Sequence, residues 1–284
     1  MQTLADKATK VKLTIHRPTI YRCDTTLTSQ VQTQERDTGL RVTTRLFVDK
    51  HGPIAQMFSQ LNDIYAYHRQ HTLPYIDAGP RLLPNTLFLE YMEQMRQRRE
   101  ALDLLRETHL PHYEALVLED IQRRGARATR ADYPDAAQFA EALQVVVRVE
   151  PLPTAAHFLF DVGDEALADF TRSQQQLWSL AQNDAMQRVL EPVQALLSKL
   201  ETYTGSPGER FHASLVTNVA EGVKIAQKLI FDPPPALRTT MREVERLATS
   251  LAHALPSVKD SPLIRLREAE TLTALSTRLK AYQF

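Results

Sequence analysis

Glycine is scarce in this sequence and cysteine almost absent. Eight glycines in 284 residues leave few places for the positive-φ turns that close β-hairpins, which argues against an all-β fold. A single cysteine, Cys23, excludes an intramolecular disulfide and fits a reducing compartment. No apolar run approaches the roughly 18–20 residues that a membrane span needs. The opening MQTLADKATKVKL has no apolar signal core, so the expected location is the cytoplasm. Charge of one sign is also lacking: 34 Lys and Arg balance 34 Asp and Glu, which implies no bulk electrostatic partner. There is no glycine-rich phosphate loop, no nucleophile elbow around Ser214 and no calcium-type loop. These gaps point away from an enzyme built on a compact motif and leave open a site assembled from distant residues.

What is present suits a folded helical chain. Apolar residues make up 43% and charged residues 24%, ordinary proportions for a domain with a real core. Sixteen prolines act as punctuation. Residues 11–15 and 40–48 lean towards short strands, and residues 28–40 fit a short helix ended by Gly39 or a loop. Ile54, Met57, Phe58, Leu61, Ile64 and Tyr65 fall at helical spacing behind Pro53. The prolines and glycine of residues 72–84 predict no regular element. Long helices are expected from residue 85 and again after Pro111. Asp132 to Asp135 reads as a cap for a short helix to Leu143.

Residues 145–149 form the strongest strand pattern, and residues 157–162 read as its hairpin partner. From Asp164 the chain is helical almost to its end. A helix of some 40 residues, roughly 60 Å at 1.5 Å per residue, carries Met186, Val189, Val193, Leu196 and Leu200 as a bundle seam. Pro192 should kink or split it. Further helices cover residues 211–230, 235–255 and 262–282. The expected fold is mainly α: an antiparallel helical bundle with a small β-hairpin or sheet near residues 145–162, alone or paired with the N-terminal segment. The expected organisation is a Thr-rich stretch 1–50, a helical region 51–130, a hairpin insertion 131–163 and a long-helix bundle 164–284. The last three would form one compact unit.

Few constellations carry chemistry. His68 and His71 stand three apart on a helix without a signalled third ligand, and read as a surface pair. Asp161, Asp164, Glu165 and Asp169 read as dipole-offsetting carboxylates at a helix start. Cys23 has no signalled base. No metal or cofactor is expected. The basic clusters say more. Residues 1–130 hold 19 Lys and Arg against 15 Asp and Glu. Arg96, Arg98 and Arg99 share one helix, while Arg123, Arg124, Arg127 and Arg130 crowd a helix end and loop. Tyr21 stands among Lys12, Arg17 and Arg22, a composition suited to phosphate contact and base stacking. Solvated faces and helix-end caps use the same residues.

Several segments together resemble a family of tailed-phage and prophage proteins with no assigned activity. They are Thr72-Leu73-Pro74-Tyr75 with Asp77 and Gly79, Arg81-Leu82-Leu83-Pro84, Asp132-Tyr133-Pro134, and Pro151-Leu152-Pro153 with Phe158 and Asp161-Val162. Phe211 with Ser214-Leu215-Val216 and Asn218, and Ser261-Pro262, complete the set. They span most of the chain from about residue 40. Tyr75 stands where the family pattern has tryptophan, and His212 departs from an acidic or basic-acidic pair. The resemblance implies a phage-type protein of the bacterial host cytoplasm, from a genome region concerned with DNA replication or recombination, and brings no functional residues with it. The expected function is a non-enzymatic accessory protein binding single-stranded nucleic acid or a replication or recombination protein. The alternative is a protein-binding adaptor or anti-defence factor, partnered for instance with an ATPase and without nucleic-acid affinity. Exposed helix faces suggest a homo-oligomer.

Overall fold

The computed structural model describes residues 4–75, 79–153 and 163–282. In chain order its elements are α1 (Leu4–Lys7), β1 (Ala8–His16), β2 (Tyr21–Cys23), α2 (Thr25–Glu35), β3 (Thr43–Arg45), α3 (Pro53–His71), β4 (Leu73–Pro74) and β5 (Arg81–Pro84). Then follow α4 (Phe88–His109), α5 (Tyr113–Arg124), α6 (Ala136–Ala142), β6 (Gln144–Glu150), α7 (Gly163–Thr202), α8 (Ser214–Leu229), α9 (Pro235–His253), α10 (Leu255–Asp260) and α11 (Pro262–Lys280). The architecture is mainly α with a small antiparallel sheet and a two-stranded ribbon. Two compact units share the chain: Met1–Lys12, Arg69–Leu89 and Val149–Phe284 form the first, Leu13–His68 and Glu90–Arg148 the second. Among the described residues no helix is long and apolar enough to cross a membrane.

The first unit is a helical bundle. Met186, Val189, Val193, Leu196 and Leu200 of α7 are all buried, as are Val216, Val219, Val223 and Ala226 of α8 and Leu237, Met241, Val244, Ala248 and Leu251 of α9. Three-and-four spacing puts each set on one stripe, and burying each large apolar side chain contributes about 1.5–3 kcal/mol. Pro192 does not split α7, which runs unbroken through it. Its missing N–H deprives the Arg188 carbonyl of its intrahelical donor, and Gly222 of α8 packs there so closely that a Cβ would lie 2.6 Å from that oxygen. Residues 72–84 are more regular than their prolines suggest. Leu73 pairs with Leu82, and Ala8 to Val11 pair with Pro84 to Arg81, so that β5 lies between β4 and β1. Pro74 sits on the edge strand and Pro84 at a strand end, where a missing ladder donor is tolerated; Leu82 and Leu83 are fully buried.

The second unit is built on α3, α4, α5 and α6 around Phe47, Tyr113, Tyr133 and Phe139, whose rings meet at centroid separations of 5.1–6.0 Å. Buried Asp120 ties this cluster together. It accepts from the backbone N–H of Phe47 (2.8 Å) and Val48 (2.7 Å) and from the Tyr133 hydroxyl (2.6 Å), so the buried carboxyl group is satisfied by three donors. Burial, and then that contact with Asp120, pushes the Tyr133 hydroxyl far above its ordinary value. Asp135 caps α6 in a capping box with Gln138. The segment after Thr25 is helical, but it ends at Arg36 in the left-handed conformation (φ 54°), three residues before Gly39. Gln32 then fastens the following turn by donating to the carbonyls of Thr38 and Leu40. The strand expected at residues 157–162, and the Asp161 and Asp164 side chains of the acidic group, lie outside the described residues.

Candidate nucleic-acid interface

Strands β2 and β3 form a ribbon within the second unit, with α2 as their connection. Tyr21 pairs with Arg45, Arg22 with Thr44, and Cys23 with Thr43. Asp24 N–H donates to Val42 C=O (2.9 Å) and Leu46 N–H to Ile20 C=O (2.7 Å), which fixes the pairs 24/42 and 20/46 as the hydrogen-bonded ones. Tyr21/Arg45 and Cys23/Thr43 therefore fall on the alternate positions, where opposing side chains approach most closely. Burial alternates with the strand period. Pro18, Ile20 and Asp24 are buried while Arg17, Thr19, Tyr21 and Cys23 are exposed, and Arg41 and Thr43 are exposed on the facing strand. One outward face thus gathers Arg17, Tyr21, Cys23, Arg41, Thr43 and Arg45, and among the described residues 17–23 and 41–45 no outward position is a carboxylate. Tyr21 is 57% exposed.

Arg22 points to the other side of the ribbon. It pairs with Asp132 and donates to the Arg127 carbonyl; against the opposing effect of burial, donation from the Thr129 N–H, then from the Arg22 guanidinium, holds the Asp132 carboxyl below its usual range. Its role is to join the ribbon to the segment after α5. Because Arg45 occupies a non-hydrogen-bonded pair, its carbonyl points away from β2. Arg124, at the end of α5, donates to that carbonyl.

The other residues expected in a nucleic-acid site divide by their partners. Arg96 lies between Glu93 and Glu100, and hydrogen bonds to these carboxylates raise its pKa further while the Glu93 carboxyl is lowered. Arg98 pairs with Asp63 at 2.9 Å and lies over the Tyr67 ring, 4.0 Å from its centroid. Arg123 pairs with Asp49 at 2.7 Å. Arg130 takes Glu114 in a two-pronged contact and also meets Asp135. These four are occupied in holding the second unit's surface together. Arg99 and Arg127 are exposed and their side chains have no partner among the described residues. Lys12 is exposed on β1 but belongs to the first unit.

The structure adds Arg41 and Arg45 to the expected set. Their signal was legible: Arg41, Thr43 and Arg45 alternate along RVTTRLFV, and period two puts them on one strand face. The N-terminal excess of basic residues, by contrast, does not survive folding. The second unit holds 15 Lys and Arg against 16 Asp and Glu, and the first holds 19 against 18. His68 is buried, with Nδ1 2.7 Å from the Tyr91 hydroxyl, and is a core histidine rather than part of a surface pair. Among the described residues no group of three or more His, Cys, Asp or Glu side chains is placed to hold a metal ion. No protein-family model, curated protein or solved structure matches the chain.

Proposed function

We propose that this chain is a non-enzymatic accessory protein of phage-type DNA replication or recombination that binds single-stranded nucleic acid on the outward face of the β2–β3 ribbon. The observation that carries this reading is the exposed Tyr21 ring flanked by Arg17, Arg41 and Arg45 on a ribbon face with no carboxylate at its described outward positions. An exposed aromatic ring gains by stacking on an unpaired base, and arginines beside it meet the backbone that the base hangs from. A duplex offers no free base face, so single strands are preferred. The test is fluorescence anisotropy of a labelled ~30-nucleotide strand and its duplex at several salt concentrations. The expected result is salt-sensitive binding of the single strand, weakened roughly 5- to 150-fold by Tyr21→Ala, as loss of about 1–3 kcal/mol of stacking implies. Absence of binding at low salt would reject the reading.

A second reading, a protein-binding adaptor, is favoured by Leu263 and Leu266, which stand 78% and 59% exposed near the start of α11. It predicts partner capture that Leu263→Ser abolishes, with no oligonucleotide affinity.

A further inference from the structure

Six guanidinium groups of the second unit pair with carboxylates; of the others, those of Arg45 and Arg124 are linked through the β3 backbone. Arg45 and Arg124 have no carboxylate partner among the described residues, and the Nε atoms of both are buried without accepting groups. Arg124 reaches the ribbon through its bond to the Arg45 carbonyl, so it lies along the outer edge of β3. Arg45 itself stands directly across from Tyr21 in a close pair. Asp120, the buried acid one turn before Arg124, is already filled by three donors and faces the aromatic core. Each of the two guanidinium groups thus carries a charge that no described carboxylate offsets, and an anion reaching the β3 edge of the ribbon would supply the acceptor that both lack.

We infer that Arg45 and Arg124 bind one phosphodiester group of the strand while Tyr21 stacks on the adjoining base. The unit recognised is then a single nucleotide with its phosphate. This inference rests on the single-strand reading above and makes it specific. Guanidinium suits the task because its planar fork meets two phosphate oxygens at once, which an ammonium does not. Arg17 and Arg41, at the ends of the same face, take the phosphates before and after it.

The experiment measures the salt dependence of oligo(dT) binding for the unaltered chain, Arg45→Gln, Arg45→Lys and Arg124→Lys, with Arg96→Gln as a control held by its two glutamates. Each phosphate contact contributes about 0.7 to the slope of log K against log salt for a single strand. Arg45→Gln, which leaves Arg124 on the same phosphate, is expected to bind several-fold more weakly with a slope lowered by less than about 0.7, and the double variant Arg45→Gln with Arg124→Gln to lower it by about 0.7. Arg45→Lys and Arg124→Lys should keep the slope but bind several-fold more weakly, and Arg96→Gln should change neither. Thermal melting of each variant separates lost binding from lost folding. As a second readout, oligo(dT) should slow maleimide alkylation of Cys23, which shares the ribbon face with Tyr21. If oligo(dT) binds and Tyr21→Ala weakens it, yet both Arg45 variants behave as the unaltered chain, the phosphate pair is wrong and the ribbon reading stands. If oligo(dT) binds nowhere, or binds without Tyr21→Ala weakening it and without slowing Cys23 alkylation, both are wrong.

Discussion

Glu209 shows how much one side chain can organise on a surface. It accepts from Lys199 at 2.6 Å, from Thr204 N–H at 2.9 Å and from the Thr204 hydroxyl at 2.9 Å, pinning the turn between α7 and α8. The Lys199 ammonium, followed by the Thr204 N–H, lowers its pKa from 4.5 to about 2. A carboxyl depressed on folding stabilises the folded state above its unfolded value and loses that contribution as pH falls through the folded one. The contribution of Glu209 is therefore complete above pH 4.5 and disappears towards pH 2. In thermal melts across this range, Glu209→Gln should be less stable than the unaltered chain at pH 6 and lose less on acidification. Parallel acid limbs in the two proteins would exclude the contact as the cause. Asp120 is the buried counterpart, and its role was invisible in sequence: nothing about an acid late in a helix says that it faces two backbone amides from residues 47 and 48.

At the scale of elements, the α7–α8 pair depends on a match between a proline and a glycine. Pro192 opens a carbonyl at Arg188, and Gly222 has no side chain to keep α8 away from it. Gly222→Ala gains helix propensity of about 1 kcal/mol but places a methyl group 2.6 Å from that oxygen, an overpacking that costs about 1–3 kcal/mol or more. The net expectation is a lower melting temperature, measured by circular dichroism; a higher one would mean that the helices separate freely. The sequence located most long elements because their apolar spacing is strong: α3, α4, α5, α9 and α11 lie where periodicity puts them. It missed β4 and β5, since three buried residues between Pro80 and Pro84 acquire strand character only from the partner they pair with.

For the molecule as a whole, net charge is zero and neither unit departs from neutrality by more than one charge, so binding to a polyanion must be local. With Arg17, Arg41, Arg45 and Arg124 as the phosphate contacts, the slope of log K against log salt should be about −2 to −3, by the same ~0.7 per contact. A slope steeper than about −6 would demand a wider footprint and bring Lys12, Arg99 and Arg127 into it. Charge clusters read along the chain mislead here for a physical reason. Helices place acids three and four residues from bases, and the fold brings Asp49, Asp63 and Glu114 to arginines distant in sequence. Only the residual, unpaired charge is available to a ligand.

The sequence by itself determined the mainly helical architecture, the bundle seam of α7 and the strand at β6, because each rests on the periodicity of neighbouring residues. It also carried the alternation that sets Arg17 and Tyr21 on one side of a strand and Arg41 and Arg45 on one side of another. The tertiary structure alone decided that those two sides are the same face, which arginines of the second unit are consumed by carboxylates, and that residues 81–84 close onto residues 8–11. Pairing, register and charge neutralisation join residues far apart in the chain, and no local pattern encodes which partner will be there.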